Sequence, residues 1–362
     1  MIDVAVIAAG NGGTGIAAWM SLKGCNVSLY DKDEGVLKEI SDAGGIHLKG
    51  TELSGFAPIR KVTSHIAEAL EGRRLIMVAP PAFAHKDIAR VCAPFLGDGQ
   101  TVILNPGRTA GAIEFRKTAR DVNPDASFTV GETQSLIFAC RKTGYAETTI
   151  YSVKRRMKVA ALPASRTPDL LGIAAPYFPQ FEAAENVLET SLGNIGSVFH
   201  PAPAILNIAR IEEKESFEHY RQGISPSVAR VLERINDERM AVARAMNVRT
   251  QGAREWLHEV YGMDVAESES LYEAIHKQEA YRGIKAPADV FTRYISEDVP
   301  MGLVPLSELG RAFGVGAPTM DAIILLADII HGKDYRATGR NLKSLGLEGM
   351  SATQIRDFVG GE

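Results

Sequence analysis

His200, Arg293 and Asp298 are the side chains of this chain best suited to moving a proton and holding an acid. His200 closes the run Thr190-Ser-Leu-Gly-Asn-Ile-Gly-Ser-Val-Phe-His200 and precedes Pro201-Ala-Pro203, where one helical stretch gives way to another. Imidazole titrates near neutrality, so such a group can donate a proton as hydride arrives and remove it in reverse. The competing role is structural, a helix-end histidine satisfying the last carbonyls. Asn194 lies six residues earlier, slightly less than two helical turns, and shares a face with His200 if the helix runs unbroken. The alternative is an ordinary buried amide. In Arg293-Tyr-Ile-Ser-Glu-Asp298 the planar fork of arginine suits both oxygens of a carboxylate substrate. Asp298 can hold His200 in one tautomer and stabilise its protonated form. The same residues also read as an i,i+4 pair of Arg293 with Glu297 and an N-cap at Asp298 ahead of Pro300.

A second group, at the start of the chain, binds rather than reacts. Ile2-Asp-Val-Ala-Val-Ile-Ala-Ala-Gly-Asn-Gly-Gly-Thr-Gly15 is an apolar run, a small-residue turn and the beginning of a helical pattern. Backbone N–H groups at such a helix start face a pyrophosphate, and the helix dipole favours its charge. The turn reads Ala8-x-Gly10-x-x-Gly13, with alanine where G-x-G-x-x-G has its first glycine. Asn26-Val-Ser-Leu-Tyr-Asp31 is a second strand ending in an acid, 18 residues beyond Gly13, where a ribose-binding carboxylate belongs. A carboxylate there accepts from a ribose 2′-OH and repels a 2′-phosphate, which favours NAD(H) and makes NADP(H) the weaker choice. Lys32 beside it softens that preference. Asp31 can also cap the helix expected at Glu34–Ala43.

Strand and helix signals alternate downstream: strand 75–79 and helix 84–95, strand 101–104 and helix 111–122, then strand 127–130. Strands that are apolar without alternation mean a parallel sheet covered on both faces, with ligands at the strands' carboxyl ends. The cofactor candidates are therefore Ala9, Gly10, Asn11, Gly12, Gly13, Asp31, Pro80, Asn105 and Gly107. Polar groups of Gly131-Glu132-Thr133 follow a strand end and can face the same crevice. His85 stands at another strand–helix turn, with capping its expected role. Runs 135–139, 148–153 and 157–161 look like an antiparallel extension of the sheet. From residue 186 the pattern turns helical: 186–199, 202–212, 226–246, 251–260, 268–277, 302–313 and 317–331. The expected fold is α/β, an N-terminal Rossmann-type doubly wound sheet with an antiparallel extension (residues 1–185), plus a C-terminal all-helical domain (186–362) that supplies substrate contacts.

Composition sets the outer limits. With 362 residues, 45% apolar and 23% charged, the chain reads as a soluble globular protein of two domains. A net charge of −4 gives no case for nucleic acid or an anionic membrane, and no apolar run is long enough to span one. Three scattered cysteines fit neither a disulfide framework nor a metal site, so a reducing cytoplasm is expected. Asp237, Glu238 and Arg239 read as a charged surface face or an internal ion pair, not a metal site.

Several separated stretches together resemble one family, the octopine (opine) dehydrogenases. They are Gly10-Asn11-Gly12-Gly13, Asn105-Pro106-Gly107, Gly131-Glu132-Thr133 with Ala139-Cys140-Arg141, and Asn194 through His200-Pro201. Further on come Gly223–Val228, Tyr281–Ile284, Arg293-Tyr294 with Glu297-Asp298, Gly302–Pro305 and Leu345-Gly346-Leu347. The resemblance implies a reductive condensation of an L-amino acid with a 2-keto acid at the expense of NADH. It further implies His200 as general acid/base, Asp298 orienting it and Arg293 on a substrate carboxylate; the five-residue step from Arg293 to Asp298 is the family's own. Ala8 departs from the family, which has glycine there. The exposed helical domain gives the expectation of a homodimer.

Three rival readings share parts of this pattern. A 3-hydroxyacid or glycerol-phosphate type dehydrogenase needs a lysine on the first long helix of the second domain, and none occurs between Lys158 and Lys214. A keto-acid or hydroxyacid dehydrogenase without an amine partner would turn over NADH with pyruvate alone. A non-catalytic NAD-binding protein would bind NADH without turnover.

Overall fold

The computed structural model describes residues 2–144, 146–261 and 270–361. The chain forms two compact units, Met1–Thr190 with Phe358–Glu362, and Ser191–Asp357. Thr190, where the first unit's main segment ends, donates its hydroxyl to Glu132 of that unit's sheet at 2.7 Å. At the other end, Arg116 lies 5.5 Å over the Phe358 ring.

In the first unit the strands are β1 (Asp3–Ile7), β2 (Asn26–Tyr30), β3 (Gly45–Gly50), β4 (Gly55–Pro58), β5 (Lys61–Thr63) and β6 (Leu75–Val78). They are followed by β7 (Thr101–Leu104), β8 (Thr129–Thr133), β9 (Phe138–Gly144), β10 (Glu147–Val153), β11 (Met157–Leu162) and β12 (Phe181–Ala183). Among the described residues six helices intervene: α1 (Asn11–Leu22), α2 (Glu34–Ala43), α3 (Ile66–Leu70), α4 (His85–Cys92), α5 (Gly111–Val122) and α6 (Thr167–Ala174). Eight strands make one sheet in the order β12-β11-β8-β7-β6-β1-β2-β5. Its neighbours are all parallel except β8 and β11. Every residue of β6 and β7 is buried, as the unbroken apolar runs require. Strand order reverses between β1 and β6, and the carboxyl ends at that reversal are where a doubly wound sheet takes its ligand.

The antiparallel extension is smaller than the sequence pattern implies. Only β11 adds to β8; the runs at 135–139 and 148–153 become β9 and β10 of a separate sheet, ordered β4-β3-β10-β9. The reason is α1, which is buried on every side from Gly13 to Ser21. A helix apolar all round must be covered on both faces. The main sheet covers one face of α1. The second sheet covers the other, with Phe138 5.2 Å from Trp19 and Cys140 Sγ set where a Cβ on Gly15 would touch it at 3.4 Å.

Helix α7 (Val187–Leu192) leads into the second unit. That unit holds α8 (Gly196–Phe199), α9 (Pro201–Leu206), α10 (Ile208–Glu212), α11 (Pro226–Ala245), α12 (Ala253–Tyr261) and α13 (Leu271–Lys277). Beyond them are α14 (Arg293–Ser296), α15 (Val304–Ala312) and α16 (Pro318–His331), with short helices to the end. Residues 268 and 269 of the helix expected at 268–277 lie outside the described residues. The helix expected at 186–199 is broken: Arg239 donates to the Leu192 carbonyl at 2.5 Å, and Gly193 and Asn194 form a turn before α8. The stretch 202–212 is likewise split at Asn207, whose Nδ2 donates to Pro203 O and Gly223 O. No helix among the described residues is long and apolar enough to cross a membrane.

Candidate active site

The turn between β1 and α1 has the form of a dinucleotide cradle. A Cβ on Gly13 would lie 1.7 Å from the Ala8 carbonyl oxygen, so only glycine lets the helix start this close to the strand. Gly10 is exposed with nothing within 4 Å of its would-be Cβ. Its position at the N-cap of α1 carries no side-chain cap, and the helix's first turn has no acid. The first N–H groups of α1 are thus left for an anion. Ala8 itself stands at φ 84, the left-handed region that glycine tolerates and alanine resists. Asp31 directly follows β2 beside this turn: Oδ2 accepts from Ala9 N–H at 2.7 Å and Oδ1 from Asp33 N–H at 3.1 Å. It does not cap α2; Asp33 does, accepting from Gly35 and Val36 N–H. These residues fit a dinucleotide, with an open glycine face, uncapped N–H groups and a carboxylate at the end of β2.

The remaining cofactor candidates are more occupied with the protein itself. Asn11 Oδ1 accepts from Lys142 N–H at 2.8 Å and the Asn11 carbonyl from Cys140 Sγ at 3.2 Å, so Asn11 ties β9 to the turn. Asn105 is buried, with Nδ2 donating to Ile103 O at 2.8 Å. Gly107 is required because a Cβ would strike Glu132, 2.2 Å from Oε2. Pro80 is buried just past β6. Glu132, far from facing a crevice, is fully buried, with one oxygen on Ala112 N–H in the first turn of α5 and the other on the Thr190 hydroxyl. His85 is buried as the first residue of α4.

The second unit contains a dyad. His200 is both the last cap of α8 and the first of α9, because Pro201 cannot continue the α8 hydrogen bonds but suits the first position of a new helix. Asp298 directly precedes a π-helical turn, Val299–Leu303, in which Leu303 N–H reaches back to Asp298 O at 3.0 Å. Such turns recur at functional sites. Asp298 makes no side-chain cap; it is 2% exposed, and its Oδ2 lies 2.8 Å from His200 Nδ1. Two residues 98 apart in sequence thus form one unit. Asn194 does not share a helix with His200, yet it reaches the same turn: a Cβ on Gly302 would lie 3.3 Å from Asn194 Nδ2 and 2.8 Å from Ser197 Cβ. Arg293 heads α14 with its guanidinium on Glu297, Nε to Oε2 at 2.6 Å, while 57% of its side chain stays exposed.

Three aromatic residues surround the His200 ring: Tyr294 belongs to the Arg293-Tyr294 motif in α14, whereas Tyr220 and His219 lie in an irregular stretch and carry no signal in the sequence. Tyr294 stacks on the His200 ring at 4.3 Å and 12°. Tyr220 Oη is 3.1 Å from His200 Nε2. His219 is buried with Nε2 on the Phe199 carbonyl at 3.1 Å, and burial, aided by the neighbouring His200, pushes its imidazole down to about 4. Glu238 and Arg239 are neither a surface face nor a pair: Glu238 caps α16 through Thr319 and Met320 N–H, and Arg239 holds loop carbonyls. No group able to hold a metal ion occurs among the described residues.

A glycine cradle with a strand-end acid in one unit and a buried-carboxylate histidine in the other define a dinucleotide-dependent oxidoreductase. Residues 183–331 match the model for the α-helical domain of NAD/NADP octopine/nopaline dehydrogenase. An opine dehydrogenase of Arthrobacter sp. (strain 1C) is 42% identical over 355 residues, covering 98% of each chain. The fold matches that of octopine dehydrogenase solved with NADH and L-arginine, at a TM-score of 0.81 over 100% of this chain and 98% of the other, with 22% identity. Yersinopine dehydrogenase with NADP+ bound gives a TM-score of 0.73 over the same shares at 15% identity. The chain belongs to the opine dehydrogenase family of NAD(P)-dependent oxidoreductases.

Proposed function

We propose that this protein joins the α-amine of an L-amino acid to a 2-keto acid of the pyruvate type and reduces the product with NADH, giving a secondary amine dicarboxylic acid, and runs the reverse. The observation that carries this reading is the His200–Asp298 dyad at 2.8 Å. A carboxylate accepts only, so Nδ1 bears the hydrogen and Nε2 is the atom that takes and returns protons. Condensation needs such a group: the amine adds to the keto carbon, and the resulting hydroxyl must be protonated to leave as water. The bound dinucleotide would supply hydride to the imine carbon so formed. Asp298 stabilises the imidazolium without itself being protonated. Arg293 would exchange its partner Glu297 for a substrate carboxylate, a role its exposed guanidinium supports.

Asp31 supports NADH over NADPH, since a 2′-phosphate would meet its negative charge. The likeness of the sequence to N-(1-D-carboxyethyl)-L-norvaline dehydrogenase supports an opine-forming reaction, and the octopine dehydrogenase solved with NADH and pyruvate supports a keto acid of the pyruvate type. The deciding experiment is NADH oxidation across a grid of amino acids and 2-keto acids, each also tested singly. Turnover is expected only with both present. Oxidation with a keto acid alone would mean a plain keto-acid reductase, and NADH binding without turnover a silent binding protein. His200→Ala is expected to abolish turnover and leave NADH affinity intact; retained turnover removes the assignment.

A further inference from the structure

His200 is engaged through both ring nitrogens. Asp298 Oδ2 holds Nδ1, and Tyr220 Oη lies 3.1 Å from Nε2. With the ring hydrogen on Nδ1, the neutral ring has a bare Nε2, so the hydrogen between Nε2 and Oη belongs to Tyr220. The one atom of His200 able to take up a proton therefore has a phenol on it. That phenol is held in place. Its ring stacks on Tyr281 at 4.0 Å and 9°, meets His219 edge-on at 4.9 Å and 89°, and is 6% exposed. His219 in turn is fixed by its bond to the Phe199 carbonyl. A hydroxyl placed this rigidly on the working nitrogen is a conduit for its proton.

We propose that Tyr220 carries the proton between His200 and the substrate, a role that rests on the reading of His200 as the acid–base group. In the reductive direction, Nε2–H of protonated His200 passes its proton to Tyr220 Oη while the Tyr220 O–H proton moves to the hydroxyl of the amine–keto acid adduct. The adduct's C–O bond breaks, water leaves, and the nitrogen lone pair forms the C=N bond. At Oη one O–H bond forms as another breaks, so the phenol is neutral before and after. The positive charge passes from His200 to the iminium that hydride then reduces. Oxidation of the secondary amine retraces these steps, with His200 ending protonated.

Tyr220→Phe tests this directly, because it keeps the ring and its stacking and deletes only the hydroxyl. The variant is expected to lose at least about tenfold in kcat, with both substrate KM values and NADH affinity within about twofold of the parent. In mixtures of H2O and D2O, the parent rate should curve with deuterium content, as two protons in flight require, and the variant rate should fall linearly. An unchanged or raised kcat in the variant overturns the proposal, since substrate would then displace the phenol and meet Nε2 itself. A lowered kcat with the curvature unchanged overturns it as well, because the hydroxyl would then only steady the ring. An active parent with an unaffected variant removes the relay alone, whereas a parent inert with every substrate pair removes the enzymatic reading and the relay with it.

Discussion

In the proposed reaction Asp298 would act through another side chain, and its geometry says how. Its Oδ2 sits 2.8 Å from His200 Nδ1, and at 2% exposure it does this away from water, where a charge-assisted bond is strong. Asp298→Asn keeps the shape but removes the charge, and the amide can donate to Nδ1 and force the wrong tautomer. A loss of roughly 10²–10⁴ in kcat with NADH affinity unchanged is expected from steady-state kinetics and a fluorescence titration. Ala8 makes a different kind of point. Its φ of 84 costs about 1–2 kcal/mol for a residue with a Cβ. Part of that gain would be lost to the greater chain entropy of unfolded glycine, about 0.5–1 kcal/mol. Ala8→Gly should therefore stabilise the fold by about 0.5–1 kcal/mol and tighten NADH binding; a lower urea midpoint would show that the turn is already relaxed around alanine.

Among the elements, the cradle separates two jobs that glycines do in one turn. Gly13 permits helix α1 to begin against the Ala8 carbonyl, 1.7 Å from where its Cβ would be, and backbone cannot yield there. Gly10 has open space instead, and only a ligand would notice a methyl group. Gly13→Ala is expected to destabilise by about 3 kcal/mol and to lose NADH binding through the distorted turn. Gly10→Ala should melt like the parent and still bind NADH more weakly; equal affinities would mean that the phosphates do not lie on that face. The alternation of strand and helix is legible because β6 and β7 are buried on both faces and so are apolar throughout. The second sheet is not legible. Strands β3 and β4 both open on glycine and mix exposed with buried positions, and β10 pairs with β3 far upstream, a choice made by the need to cover α1. His200, Asp298 and Arg293 stand out by residue type and by the order of motifs. Tyr220 and His219 do not, since nothing local marks a loop tyrosine as the neighbour of a histidine two short helices away. Asn194 belongs at the same turn for a reason the helical pattern hid, the break after Leu192.

For the molecule as a whole, the cost of this site is written in its pH dependence. Three rings, His200, His219 and Tyr294, are packed together, and two adjacent imidazolium charges would repel in a buried setting. The structure keeps one of them neutral. Burial first, and His200 second, push His219 from 6.5 down to about 4, while its bond to the Phe199 carbonyl opposes the shift. His219 is 1% exposed, so solvent screening does little to soften this. Below pH 6.5 the unfolded chain takes up a proton that the folded chain refuses until about pH 4. More protons bound to the unfolded state means that stability falls as pH falls through that window and levels off beneath it. The depression is worth about 3 kcal/mol once the window is crossed. Urea unfolding between pH 7 and 4 should show this loss in the parent, on top of whatever the carboxylates add. His219→Gln keeps a donor for the Phe199 carbonyl and cannot titrate, so its stability should depend on pH less steeply by one proton over the same window. Parallel curves for the two proteins would mean that His219 charges within the fold, and that the neutral neighbour assigned to His200 does not exist.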